Sequence, residues 1–340
     1  MKAAVFEGAG RVSVLDRPQP AAERPDDVVI RIAANGLCGS DLRAFSTPPQ
    51  MAYDRGVIVG HEFSGTVTET GSDVRSLSEG ARVVAIPNIN CQACWYCRSG
   101  HTNLCENFVH IGSMRDGGAA EYCVVPERMV LELPDVVDDE LATLAEPLAC
   151  VLNGARTAGA QPGDTVLVLG GGPIGLLYLL LLKAAGARVI VSEPSAPRAR
   201  TARELGADEV IDPSRRPVAE ALAELTPRGA DIVVDTVGML LADGVACARK
   251  GGRILVFGLN DRARAELGEA DLSYRELSIE GVYIAKGTFP LALTLLERNE
   301  LGFDRLITHR VELDRFWDAV ELARSGDAVK AIVYVPTEQP

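Results

Sequence analysis

Aromatic residues make up only 5% of the 340-residue chain, histidine occurs four times, and no apolar run exceeds the nine residues of "IGLLYLLLL" at 174–182. A membrane-spanning helix needs about 20 apolar residues, so no span is expected. Basic residues are also in deficit, 34 against 47 acidic, for a formal charge of −13. That balance repels phosphate backbones and anionic lipid, and it leaves no basic run for either, which excludes nucleic acid and membrane as expected partners. The start, "MKAAVFEGAG", has no apolar core of a secretory leader. A cytoplasmic location is expected, and in that reducing setting the eight cysteines read as thiols and metal ligands in preference to disulfides.

Internal repeats and low-complexity linkers are absent too, and the length suggests two domains. From residue 1 to about 135, short β-type runs such as "KAAVF", "DVVIRIAANG", "FSGTVTET" and "AEYCVVP" alternate with Gly, Pro and Asp, the pattern of a small barrel or sandwich. "DDELATLAEPLACVLNGARTAGA" reads as one amphipathic helix. Strands and helices then alternate from "TVLVLG" to "RILVFG", which predicts a doubly wound parallel sheet in an α/β protein. The boundaries expected are 1–148, 149–281 and a segment 282–340 that returns to the first domain because it cannot bury its own faces.

The segment "TVLVLGGGPIGLL" puts Gly170, Gly172 and Gly175 in G-x-G-x-x-G register between a β-branched strand and an apolar helix. Such glycines allow a tight turn, close approach of a pyrophosphate and helix-on-strand packing, with the helix N-terminus facing the anion. Glu193 ends the next strand, where a carboxylate accepts from the adenosine ribose hydroxyls and repels a 2′-phosphate. NAD is therefore favoured over NADP, although Arg198 is able to serve a phosphate as well as a hydroxyl.

Cys91, Cys94, Cys97 and Cys105 are spaced C-x₂-C-x₂-C-x₇-C, which suits one closed tetrahedral zinc in a lobe of about 88–108. An iron–sulfur cluster uses the same ligands, but ferredoxin spacing is missing, and a thioredoxin-like pair would open a helix beside a βαβ unit. Upstream, "NGLCGSDL" carries Cys38, Ser40 and Asp41, "VGHEFSG" carries His61 and Glu62, and "LAEPLA" carries Glu146. Thiolate, imidazole and carboxylate suit a catalytic zinc with an exchangeable position. Spacing alone does not single these residues out, since a His beside a Glu is commonly an ordinary core or surface pair.

"GHEFSGTVTETGSDV", together with "GLCGSD", the four-cysteine lobe, "AEPLAC", "GGGPIG", "SIEGVY" and "KAIVYV", resembles the zinc-dependent alcohol dehydrogenases of the medium-chain dehydrogenase/reductase family over essentially the whole chain. It is most similar to the polyol branch of sorbitol, xylitol, threonine and 2-deoxy-scyllo-inosamine dehydrogenases, because Glu146 stands where classical members carry a cysteine. The resemblance implies a Rossmann domain plus a GroES-like β-barrel catalytic domain, one catalytic and one structural Zn²⁺, and a homo-oligomer of two or four chains. It implies that Cys38 and His61 ligate the catalytic zinc, with Glu62, Glu146 or water completing the site. Ser40 would take the substrate proton, Asp41 would orient the ligand His, and Ile174, Glu193, Arg198, Gly258, Leu259 and Tyr283 would contact the cofactor. The expected reaction passes a hydride from a secondary alcohol of a polyol, aminocyclitol or amino-alcohol to NAD in a cleft that excludes water.

The alternatives are a simple alcohol or diol as substrate, or a non-catalytic nucleotide-binding relative. Arg43 replaces the His that ends the proton relay in many members, Ile284 replaces the substrate-contacting Arg of sorbitol dehydrogenases, and "EGARV" replaces the usual Gly-Asp-Arg-Val. Loops around Phe45, His110 and Tyr283 are expected to shape the pocket. Cys123, Cys150 and Cys247 read as packing residues.

Overall fold

The computed structural model describes residues 1–336, and the chain divides into two compact units, Met1–Ala149 with Ala285–Pro340, and Cys150–Ile284. In the first unit a seven-stranded sheet runs in the order Ile307–Glu312, Lys330–Tyr334, Asp27–Gly36, Glu62–Thr70, Arg82–Ala85 and Val130–Glu132, with Tyr122–Pro126 also paired to Asp27–Gly36. The strand "DVVIRIAANG" is buried along nearly its whole length, as its three partners require. Val28, Ile30 and Ile32 pack with Phe63, Val67 and Val83, whereas Phe6, Phe45, Val57 and Val59 form a second core with Phe316, Ala331 and Val333. The last segment thus contributes two strands and core residues to this unit.

Register fixes what meets at the end of the central strand. Gly36 pairs with Glu62 on one side and with Ile332 on the other. A Cβ on Gly36 would lie 2.4 Å from Glu62 Oε2 and 2.8 Å from Lys330 Cε, so only glycine leaves room for those two side chains to meet.

The second unit holds six parallel strands in the order Glu209–Ile211, Arg188–Ser192, Thr165–Leu169, Ala230–Asp235, Ala248–Val256 and Ser278–Gly281. This is the doubly wound Rossmann order, with the strand of the glycine loop at the point where the order reverses. Leu167, Leu169, Ile190, Val233 and Ile254 fill one face of the sheet.

The single helix expected from "DDELATLAEPLACVLNGARTAGA" is two helices, Asp139–Ala142 and Ala145–Ala158. Asp138 caps the first by accepting from the Leu141 N–H at 2.7 Å. Pro147, which has no N–H to give, is tolerated because the second helix restarts just ahead of it. The strand Ile307–Glu312, for which no β signal was read, pairs in parallel with Lys330–Tyr334.

Candidate active site

Cys38 precedes the short helix Gly39–Ala44, where Asp41 Oδ2 accepts the Cys38 N–H at 3.0 Å. His61 and Glu62 enter from the start of the strand Glu62–Thr70. The ligand atoms of Cys38, His61 and Glu62 lie within 4.8 Å of one another, and His61 and Glu62 are buried. Two segments far apart in sequence are brought together because "VGHEF" forms the edge of the strand beside "NGLC".

The surroundings are negative. Burial alone would lower the His61 pKa, but the charge of Asp41 and then the Cys38 sulfur outweigh it and hold it well above that of an ordinary histidine. Asp41 Oδ1 stands 3.7 Å from His61 Nδ1, which leaves the other ring nitrogen for a ligand. Negative surroundings that favour a cationic imidazole equally suit a divalent cation. The Ser40 hydroxyl is buried with no hydrogen-bond partner among the described residues, a mark of a site completed by something other than the chain. Thiolate, imidazole and carboxylate are zinc ligands, so this donor set fits the ion.

Glu146 is also buried and close enough to raise the His61 pKa, but it is not one of the three mutually close ligands. Sequence reasoning missed Lys330: its ammonium, 1% exposed, pairs with Glu62 and donates to the Leu37 carbonyl at 3.0 Å. The only signal was the basic residue opening "KAIVYV". His110, expected near the pocket, has its ring centroid 4.9 Å from that of His61, and its Nδ1 lies 2.8 Å from Ser113 Oγ. Burial, then the charge on His61, hold its pKa well below the usual value.

The four sulfurs of Cys91, Cys94, Cys97 and Cys105 also lie within 4.8 Å of one another. Cys91 and Cys97 are 4.0 Å apart, near the edge of about 3.8 Å that a tetrahedron with bonds of ~2.3 Å requires. Backbone N–H groups of Cys91 and Asn107 donate to Cys105, and that of Cys94 donates to Cys91. The Cys91 pKa falls to about 5 under the pull of Asn107 and of the Ala93 and Cys94 backbones, whereas that of Cys97 rises to about 12 through desolvation and the sulfurs of Cys94 and Cys105. Four sulfurs converging at this distance fit a closed zinc site, in which the ion would hold them as thiolates.

In the second unit Gly170 has φ +101°, and a Cβ on Gly175 would lie 1.9 Å from the Gly170 carbonyl oxygen. At Gly172, which caps the helix Pro173–Ala184, a Cβ would meet nothing within 4 Å, so the backbone is open to an approaching phosphate. Ile174 follows in the first turn of that helix. Glu193 is buried, accepting from Gly171 N–H and Ser195 N–H at 2.7 Å each, and Arg198 lies in the first turn of the next helix, Ala196–Glu204. Gly258 and Leu259 line a cavity of about 290 Å³ with Asp235, Gly238, Met239 and Arg264. Tyr283 is 38% exposed.

Two family models match: "Alcohol dehydrogenase GroES-like domain" over residues 24–135 and "Zinc-binding dehydrogenase" over residues 173–298. The chain is 33% identical to a sorbitol dehydrogenase of Bombyx mori over 98% of each sequence, and 32% identical to an L-threonine 3-dehydrogenase of Rhizobium etli over 91% of each. A solved structure from Sinorhizobium meliloti 1021, described as a zinc-binding dehydrogenase bound to NADP, superposes with a TM-score of 0.90 at 36% identity over 98% of each chain. The chain belongs to the zinc-binding dehydrogenase family with an alcohol dehydrogenase GroES-like domain. It is an oxidoreductase acting on CH–OH groups with zinc and NAD(P).

Proposed function

We propose that the protein oxidises a secondary alcohol of a polyol, aminocyclitol or amino-alcohol to a ketone, with NAD as hydride acceptor. The observation that carries this reading is the convergence of Cys38, His61 and Glu62 within 4.8 Å, beside the buried carboxylates of Asp41 and Glu146. So many polar groups around the donor set suit a substrate with several hydroxyls better than a simple alcohol. The relatives named for sorbitol and threonine, and a galactitol-1-phosphate dehydrogenase from Escherichia coli at 29% identity and a TM-score of 0.90, support the same class.

Cys38 and His61 hold the zinc in this reading, with Glu62 or Glu146 in exchange with water, and the four-cysteine lobe holds the structural ion. When bound, zinc supplies the Lewis acidity that makes an alcohol proton removable near neutral pH, and the nicotinamide supplies the hydride acceptor. Asp41 keeps the His61 ring oriented. The Ser40 hydroxyl, buried with no hydrogen-bond partner among the described residues, takes the substrate proton and passes its own on. Because Arg43 stands where a relay His occurs in related chains, that proton leaves by another group or by water. Gly170, Gly172 and Gly175 admit the pyrophosphate at the helix N-terminus, and the Glu193 carboxylate favours the unphosphorylated ribose of NAD. Ile174, Arg198, Gly258, Leu259 and Tyr283 are further cofactor contacts, and the returning segment belongs to the catalytic domain from Ala285, three residues later than the boundary expected from the sequence.

We place the protein in the cytoplasm as a dimer or tetramer. None of the eight cysteines forms a disulfide, and no helix among the described residues is long and apolar enough to cross a membrane. The strand Ser278–Gly281 edges its sheet with Ser278, Ile279 and Gly281 exposed, a surface able to pair with a second copy.

The test is an NAD-reduction screen over polyols, inositols, aminocyclitols, threonine and butanediol, with metal analysis of the same preparation. Turnover of a polyhydroxylated substrate by protein holding two zinc ions per chain is expected. Activity confined to simple alcohols or diols would move the reading to that class, and reduction with none of them in zinc-replete protein would overturn it.

A further inference from the structure

The phenol of Tyr53 has no part in the chemistry above. Its ring packs edge-on to Phe6 and Phe45, with centroids 5.9 and 6.2 Å away, in the apolar core beneath the helix Gly39–Ala44. Phenylalanine would fill that space without the cost of desolvating a hydroxyl, so the oxygen needs a partner to justify its place. It has one: Tyr53 OH donates to Asp41 Oδ1 at 2.8 Å.

Asp41 is 1% exposed and is approached from three sides. The Cys38 N–H binds Oδ2 at 3.0 Å, the Tyr53 hydroxyl binds Oδ1, and His61 Nδ1 stands 3.7 Å from that same Oδ1. One carboxylate therefore touches the backbone of one proposed zinc ligand and faces the ring of the other. The torsion that turns a carboxylate is soft, so without a second anchor Oδ1 is free to swing from His61. Desolvation, then the Asp41 charge, push the phenol pKa well above that of ordinary tyrosine, which keeps the hydroxyl a donor.

We propose that Tyr53 is a positioning residue for the metal site: its hydroxyl locks Asp41 in the orientation that aims the His61 ring, and so sets how firmly the ion is held. The proposal rests on the Cys38 and His61 site read above. Groups that themselves touch a metal ligand, as Asp41 does, commonly change metal affinity by about 10- to 100-fold, and Tyr53, acting through Asp41, falls at the low end of that range.

The test uses the full-length protein with cobalt exchanged for zinc. Visible absorption separates an ion held by one sulfur, an imidazole and oxygens from one held by four sulfurs. Release of cobalt to a chelator is then followed in the wild type, Tyr53→Phe, Asp41→Asn and the double variant. Tyr53→Phe keeps the ring and should fold. Release from the mixed-ligand site should be about tenfold faster in Tyr53→Phe, with altered bands, while the four-sulfur site is unchanged. Release from the double variant should match that of Asp41→Asn alone, because the phenol acts through that carboxylate.

A purely structural role would lower the melting temperature of Tyr53→Phe without changing release, and that result overturns the proposal. Multiplying effects in the double variant overturn it as well. A wild type that binds cobalt only at the four cysteines defeats the metal-site reading and this proposal together, whereas cobalt in both sites with no effect of Tyr53→Phe defeats this proposal alone.

Discussion

Lys330 and Glu62 form an ion pair closed off from solvent, each side chain 1% exposed, across the glycine gap at Gly36. The pair joins the last described strand of the chain to the residue that follows His61. A buried pair adds little net stability, but breaking it leaves an uncompensated charge, at a cost of about 3–5 kcal/mol. Lys330→Met should therefore lower the urea midpoint strongly, and adding Glu62→Gln should restore much of the loss. A double variant no more stable than Lys330→Met would contradict this account.

The four-cysteine lobe should be separable from the chemistry. Cys97→Ser is expected to reduce zinc from two ions per chain to one and to lower the melting temperature, with KM for the alcohol unchanged in the protein that remains folded. Metal analysis and thermal melts check it. A raised KM at an unchanged melting temperature would mean that the lobe contacts the substrate.

Cys123 and Cys247 are each 2% exposed, and burial pushes both thiols up to about 12. A raised thiol pKa means that the native state keeps a proton the unfolded chain releases at about 8.5–9. The stabilisation is complete below that value and is lost as pH rises through about 9 to 12, by at most about 1.4 kcal/mol per pH unit for each thiol. Cys123→Ala should show a shallower alkaline loss of stability than the wild type in urea titrations from pH 8 to 11, and neither thiol should alkylate at pH 8 before unfolding. Rapid native alkylation of Cys123 would contradict the burial argument.

Glu193 already accepts two backbone N–H groups, so its carboxylate is fixed before any cofactor arrives. Glu193→Gln should lower kcat/KM for NAD by about tenfold, the worth of one charged hydrogen bond, and should lower that for NADP much less. Kinetics with both cofactors measure the ratio. An unchanged ratio, or a wild type that prefers NADP as the cofactor bound by its Sinorhizobium relative would suggest, would remove Glu193 as the discriminator.

What was legible in the sequence is what local geometry dictates. Gly170 and Gly175 are glycines because a positive φ and a 1.9 Å approach demand it, and the demand shows as spacing. The four cysteines lie within one short lobe, so their distances follow from their separation along the chain. Lys330 was missed because it reaches Glu62 only through pairing with the strand Asp27–Gly36, and no periodicity reports a partner that distant. Nothing in the sequence singles out Tyr53, because its hydroxyl meets Asp41 only once the chain between them has folded back. The helix break before Ala145 was hidden by an apolar pattern that runs through both helices and outweighed the signal of Pro147.

The central claim is that an ion held by Cys38 and His61 performs the chemistry while the second unit holds the dinucleotide. Steady-state turnover and NADH binding by fluorescence, measured together on wild type and His61→Ala, test it most directly. The account predicts that turnover disappears and that the NADH dissociation constant stays within about twofold of the wild type. Persisting turnover, or loss of turnover and NADH binding together, would contradict it.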